Sequence, residues 1–222
     1  MITARMIAPR DFGDFGLRFC ALRLFALLLL LPATACVTVP KPRERAALLL
    51  PPSVWPRDTA IHWYDIEGDT EAELRASLDV TGPEDTGGQR HDAYTAWHVT
   101  WRFPFSRSDE GCTTGPVTTD VHITVTLPRW KGPADETDPV VRHWRLYLDA
   151  LKVHESGHRE TGFSAATDIA EALPVLPPKP TCEEAEEAAN GAAREVLERY
   201  RKLDTDYDSQ TRHGATQGAV FP

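Results

Sequence analysis

Tyr147-Leu148-Asp149-Ala150-Leu151-Lys152-Val153-His154-Glu155-Ser156-Gly157-His158 is the stretch that decides how this chain is read. It contains H-E-x-x-H. Residues four apart on a helix lie one above the other on the same face. The imidazoles of His154 and His158 can then share one Zn²⁺. Glu155 lies three residues before His158, so its carboxylate can reach a water at the metal without binding the metal. Zinc lowers the pKa of such a water to about 7, and a carboxylate can take its proton as the water attacks a carbonyl.

In a chain this rich in His and Glu, chance matches arise on the order of a percent of the time. The bland alternative is a solvated helix face with two histidines and a salt-bridging glutamate. The context speaks for the metal. Trp144, Leu148, Leu151, Glu155, His158, Ala165, Ile169 and Leu173 follow steps close to the helical period, and His154 falls beside Leu151 on that stripe. The motif is therefore embedded in the buried face, where polar groups need partners. Asp138 is a natural N-cap with Pro139 at the first helical position. The helix runs to about Leu173, with Gly157 and Gly162 as places to bend, and Pro174, Pro177, Pro178 and Pro180 stop it.

Downstream, Thr181-Cys182-Glu183-Glu184 reads as a capping box opening a second helix. Ala185, Ala188, Ala192, Val196 and Tyr200 form its apolar face, and the small alanines allow close approach to the motif helix. After Leu203 the periodicity ends in a polar cluster, Asp206 to Gly214. A catalytic zinc needs a third protein ligand. His213 is the only histidine downstream of the motif and the leading candidate, with Gly214 allowing a tight turn. Asp208 is second choice, or else orients a histidine from outside the ligand set. Glu160, Glu183 and Glu195 are further alternatives. Tyr207 is the expected hydrogen-bond donor to the oxyanion that forms as water attacks.

Upstream, Ile61 to Ile66 reads as a short strand. Asp69 or Thr70 caps a helix through Leu78, ended by Gly82-Pro83. Trp97, Val99, Trp101, Phe103 and Phe105 alternate with polar residues, as do Val117, Val121, Ile123, Val125 and Leu127. The two runs predict an antiparallel hairpin. His98 and His122 project from their polar faces and are read as solvated or hydrogen-bonded. The fold class expected is α+β: a small antiparallel sheet packed against long C-terminal helices, one carrying the zincin-like H-E-x-x-H, with the tail folded back.

Before the strands, Arg18 and Arg23 precede an apolar run, Leu24 to Leu31, and then Ala33-Thr34-Ala35-Cys36. This is a signal-peptide pattern with cleavage after Ala35. Cys36 would then stand first, which makes it the candidate lipidation site. Lipid anchor and free secreted protein both stay open, and both put the mature chain outside the cytoplasm, in the periplasm, on the outer membrane or in the medium. Proline and charge mark residues 36–58 as a tether, leaving 59–222 as one domain of ordinary size. The net charge of -9 and the lack of a basic stripe argue against nucleic acid. With Cys20 and Cys36 set aside, an oxidising compartment favours a Cys112–Cys182 bridge.

These features together resemble the bacterial predicted secreted zinc-dependent proteases grouped as DUF922. The resemblance rests on Trp97 with Trp101, Cys112 with Cys182, and Leu127-Pro128-Arg129-Trp130. It also rests on Trp144 ahead of the motif, and on Tyr207-Asp208-Ser209-Gln210-Thr211-Arg212-His213-Gly214, which fits the family's Y-D-x-x-T-x-H-G. It covers nearly the whole domain and implies extracytoplasmic location and a zinc-protease assignment that itself derives from the motif.

The expected function is hydrolysis of a peptide bond in a protein or peptide substrate. His154, His158 and His213 hold zinc, and Glu155 is the general base. A non-catalytic envelope protein with a structural zinc, closed by four protein ligands, is the alternative from another class. An amidase acting on cell-wall peptides would share the same site.

Overall fold

The long polar-apolar alternation of Thr118–Trp130 forms the central strand of a three-stranded sheet. The computed structural model describes residues 59–222. The expected signal peptide, tether and Cys36 all lie outside the described residues. Strand β1 spans Thr59–Ile66, helix α1 Glu71–Thr81 and strand β2 Tyr94–Arg102. A two-stranded ribbon follows, β3 Phe105–Ser108 and β4 Gly111–Thr114, and then β5 Thr118–Trp130. Helix α2 spans Pro139–Ala172 and α3 spans Cys182–Thr211. The class is α+β, as the periodicities predict.

The sheet is mixed where the sequence suggests antiparallel. Its order is β1-β5-β2, with β2 antiparallel and β1 parallel to β5. Alternation fixes which face of a strand is buried but not its direction or its partner. The predicted hairpin is present in part: Trp97 faces Ile123 and Val99 faces Val121. The β2 run stops short of Phe105, however. Pro104 brings no N–H to a ladder, and β3 and β4 pair only with each other.

Thr95, Trp97, Val99, Ile123, Val125 and Leu127 are buried, and α2 packs across β2 and β5. Most of the stripe read from the sequence is buried, namely Trp144, Leu151, Glu155, His158, Ala165, Ile169 and Leu173, while Leu148 is half-buried and its neighbour Tyr147 is buried instead. Asp138 caps the helix by accepting from the Val140 N–H at 2.7 Å. A Cβ on Gly162 would lie 2.9 Å from the Trp97 side chain, so the absent methyl lets helix and strand close up.

Thr181 caps α3 through the Glu184 N–H, and the helix buries Ala185, Ala189, Ala193, Val196, Leu197 and Tyr200. Its first turn is bolted to β4 by the Cys112–Cys182 disulfide, with Cα atoms 5.0 Å apart. Two backbone hydrogen bonds between Cys112 and Lys179, of 2.8 and 2.9 Å, lie beside it. The chain then folds back, and buried Phe221 packs on Trp144, Tyr147 and His143.

Candidate metal centre

Helix α3 extends two turns beyond the end that the sequence suggests, and those turns build the site. Asp204 and Asp208, four residues apart, share one face. That face meets His154 and His158 on α2. Asp208 Oδ1 lies 3.1 Å from His154 Nε2 and 3.0 Å from His158 Nε2, and the two nitrogens are 3.3 Å apart. These three residues form a group whose ligand atoms all lie within 4.8 Å of one another.

The outer partners of the rings decide what the group is for. His154 Nδ1 faces Gln217 Oε1 at 3.0 Å, and His158 Nδ1 faces Asp204 Oδ1 at 3.1 Å. Both partners are oxygens that can only accept, so each neutral ring carries its proton on Nδ1. Each Nε2 lone pair then points inward, at the other lone pair and at a carboxylate oxygen. With both rings neutral, three acceptors converge with no hydrogen between them, and positive charge, from a proton on an imidazole or from a metal ion, reconciles them. Their separations match the edge of a tetrahedron around an ion with bonds of about 2.0–2.1 Å, which is about 3.3 Å. The residues therefore fit a metal ion held by two imidazoles and a carboxylate.

The same demand for positive charge appears in the titration of these groups. Burial opposes a charge on His158, but its bonds to Asp204 and Asp208 outweigh that and push its pKa up to about 10. Burial likewise works to raise the Asp208 pKa, and the two histidines override it, holding the carboxyl far below its ordinary range.

Residues 61–214 match the family model DUF922, described as bacterial protein of unknown function. The chain belongs to the DUF922 family. A search of curated proteins and a search of solved structures each returned no match.

Each distinctive residue of the DUF922 tail has a place in this geometry. The Tyr207 ring stacks on His154, centroids 5.0 Å apart and 11° from parallel. Its hydroxyl donates to the His154 carbonyl at 3.2 Å and accepts from Gln217 Nε2 at 3.0 Å. Tyr207 therefore braces the centre, with its hydroxyl occupied. A Cβ on Gly157 would sit 2.5 Å from the Tyr207 ring, which accounts for the glycine inside the motif. Thr211 ties the turn by donating to the Tyr207 carbonyl at 2.8 Å and accepting from the Gly214 N–H at 3.3 Å.

Arg212 and His213 both have positive φ, 53° and 51°, an unfavoured conformation for side-chain-bearing residues. Gly214 continues with φ 83°, and a Cβ there would come 3.0 Å from His154. This left-handed run reverses the chain and returns Gln217 to His154. Such strain held in place by packing is typical of functional sites.

His213 stands at the mouth, its side chain 55% exposed, with Nδ1 3.5 Å from Asp208 Oδ1. It lies outside the converging group, where Asp208, the second choice from sequence, occupies the third position. Glu160, Glu183 and Glu195 are exposed and take no part. His98 and His122 face each other across β2 and β5, away from the centre.

Glu155 is buried beside the group but does not belong to it. Its Oε2 accepts from Thr95 Oγ1 at 2.6 Å, which ties α2 to β2. Burial raises its pKa, against the lowering pull of His158, Thr95 and His154.

Sequence reading missed Asp204, Gln217 and Thr95. The signal for Asp204 was there, since Asp204 and Asp208 repeat the four-residue spacing of the histidines. Nothing local marks Gln217 or Thr95.

Proposed function

We propose that this domain is a metal-dependent hydrolase that cleaves peptide bonds, with the ion held by His154, His158 and Asp208. The observation that supports this reading is the convergence of three acceptor atoms with a buried, unligated carboxylate, Glu155, alongside. Two imidazoles and a carboxylate suit zinc. An ion bound there supplies Lewis acidity, favouring loss of a proton from water and polarising a carbonyl.

The chain's own residues do the rest. Glu155 takes the proton of the attacking water and returns it to the leaving amine. A raised pKa suits a group that must both accept and release a proton near neutral pH. The Thr95 hydroxyl fixes its carboxylate. Asp204 and Gln217 fix the ring tautomers, keeping both Nε2 lone pairs inward. Tyr207 locks the His154 ring from behind.

A structural zinc site is closed by four protein ligands, whereas a catalytic one keeps a position open. Three converging residues, not four, among the described residues favour the catalytic reading. A cell-wall amidase shares this geometry, so substrate tests separate it from a protease. The disulfide suits an oxidising compartment outside the cytoplasm, with Cys36 the proposed attachment point for lipid.

The test is metal analysis of purified protein, followed by digestion of a peptide library and of cell-wall peptides. About one zinc per chain is expected. Glu155→Gln should keep the metal and lose roughly 10²–10⁴-fold in rate. A metal-loaded wild type that cleaves neither substrate class would overturn the reading.

A further inference from the structure

The chain has five tyrosines, and four have committed hydroxyls. Tyr64 donates to the Asp92 carbonyl, Tyr147 to the Asp92 carboxylate and Tyr200 to Asp168. Tyr207 serves His154 and Gln217. Among the described residues, the Tyr94 hydroxyl has no such partner.

Its position makes that freedom meaningful. Tyr94 opens β2, directly before the Thr95 that holds Glu155. Strand β2 is an edge of the sheet, so nothing in the sheet covers Tyr94 on that side. Its ring stacks on His91, centroids 6.1 Å apart and 24° from parallel. His91 is pinned by Asp85, whose Oδ2 lies 3.1 Å from Nε2. Asp85 is itself fixed, because its Oδ1 accepts from the Gly87 and Gln89 N–H groups at 2.8 Å each. His91 also leans on His213, centroids 5.5 Å apart, and His213 reaches Asp208 Oδ1. A row of rings thus runs from Tyr94 through His91 to His213, whose Nδ1 lies 3.5 Å from Asp208 Oδ1.

We infer that Tyr94 is the hydrogen-bond donor to the oxyanion in this hydrolytic site, held in place by the Asp85–His91 pair. The inference rests on the hydrolase reading and names the residue that stabilises its transition state. As the water oxygen bonds to the carbonyl carbon, the C=O π electrons move onto oxygen. Glu155 holds the water's proton, and Tyr94 donates a hydrogen bond without losing its own. When the C–N bond breaks, the C=O re-forms and the amine leaves with the proton from Glu155. The phenol is suited to this because it stays protonated. Burial and the negative charges of Asp85, Asp204, Glu155 and Asp208 all raise its pKa; of these carboxylates Asp208 belongs to the metal group, and Asp204 and Glu155 lie beside it. The role assigned from sequence to Tyr207 therefore passes to Tyr94.

The test uses zinc-loaded full-length protein and a phosphinic peptide, a tetrahedral oxyanion that mimics the attacked carbonyl. Tyr94→Phe removes one oxygen that bonds to no other described residue and should fold as the wild type does. It should bind the phosphinic peptide roughly 10–100-fold more weakly, with unchanged zinc content. On any cleaved peptide it should lower kcat with little change in KM. His91→Ala should weaken phosphinate binding by a smaller factor. Equal binding by wild type and Tyr94→Phe overturns the inference, and so does absence of binding by zinc-loaded wild type. Tyr94-dependent phosphinate binding without cleavage of any peptide sinks the hydrolase reading alone. Cleavage with a Tyr94-independent kcat sinks this inference alone.

Discussion

Two of this domain's polar clusters centre on a carboxylate that meets α2, and they differ in kind. In the first, Asp92 meets Arg75 through a two-pronged ion pair, with one arm at 2.7 Å, and takes a further bond from Tyr147. In the second, Asp208 meets two imidazole lone pairs. Both clusters join α2 to another part of the chain, and both centre on a carboxylate. They differ in where the positive charge comes from. Arg75 supplies it permanently in the first, so the cluster is closed and serves as a fastener. In the second, no arginine or lysine pairs with the carboxylate among the described residues, and a metal ion bound by His154, His158 and Asp208 would complete the cluster. Buried polarity that balances itself is structure, and buried polarity lacking one charge is a binding site.

That contrast is broken most severely at Asp208. Asp208→Ala removes a converging atom and should reduce zinc affinity by more than about 100-fold. The fold should survive, since the disulfide and both long helices remain. Equilibrium dialysis against a competing chelator measures the loss. Full affinity in this variant would mean that the acceptors do not converge on a metal.

Asp204→Asn tests the outer layer. The amide keeps the size but can present its NH₂ to His158 Nδ1, which favours the wrong tautomer. Zinc affinity should fall about 10–100-fold, less than at Asp208. Trp97 also donates to Asp204, at 2.6 Å, so Trp97→Phe is a milder version of the same change.

These aspartates also show where sequence reading ran out. The apolar stripe of α2 was legible because its partner is an apolar sheet, and the face of α3 was legible only in part: Ala185, Val196 and Tyr200 are buried, but Ala189 and Ala193 take the place expected of Ala188 and Ala192. From Asp204 onward the partner of α3 is the histidine pair, so the buried face is polar and the period of apolar residues disappears while the helix continues. The end of the amphipathic signal was therefore taken for the end of the helix. The H-E-x-x-H residues were legible because their chemistry fixes their spacing. Thr95 and Gln217 were not, because their roles depend on contacts 60 and 63 residues away in sequence. The parallel sense of β1 was hidden for a similar reason, since β5 enters between strands formed earlier in the chain.

The closed cluster gives the converse prediction. Asp92→Asn should leave zinc affinity unchanged and lower stability by about 1–3 kcal/mol, the usual range for an orphaned buried partner. Burial alone would raise the Asp92 pKa, but hydrogen bonds from Arg75 and Tyr147 hold it below its ordinary value. A carboxyl whose pKa is lowered in the fold stabilises it above the unfolded pKa, about 3.9. That contribution is lost as pH falls through the folded value. Urea midpoints of the wild type should therefore drop below about pH 4. Asp92→Asn should start lower at pH 7 and show a shallower acid limb. Parallel acid limbs would remove Asp92 from the account.

The smallest effect is expected at His213, and it sharpens the comparison most. Half of its side chain is exposed, and it touches Asp208 Oδ1 only at 3.5 Å. It sits on a strained left-handed turn whose tight packing is provided by Gly214 and Thr211, not by its own ring. As a residue of the mouth, it can be lost without opening the three-atom group. His213→Ala should therefore change zinc affinity by less than about 10-fold, below the range for residues that orient ligands. His154→Ala, measured alongside, should lose the metal outright. If His213→Ala instead matches His154→Ala, the imidazole swings inward when the ion binds. The centre would then have four protein ligands, the closed form of a structural site. That single measurement separates a cluster completed by metal and substrate from one completed by metal alone.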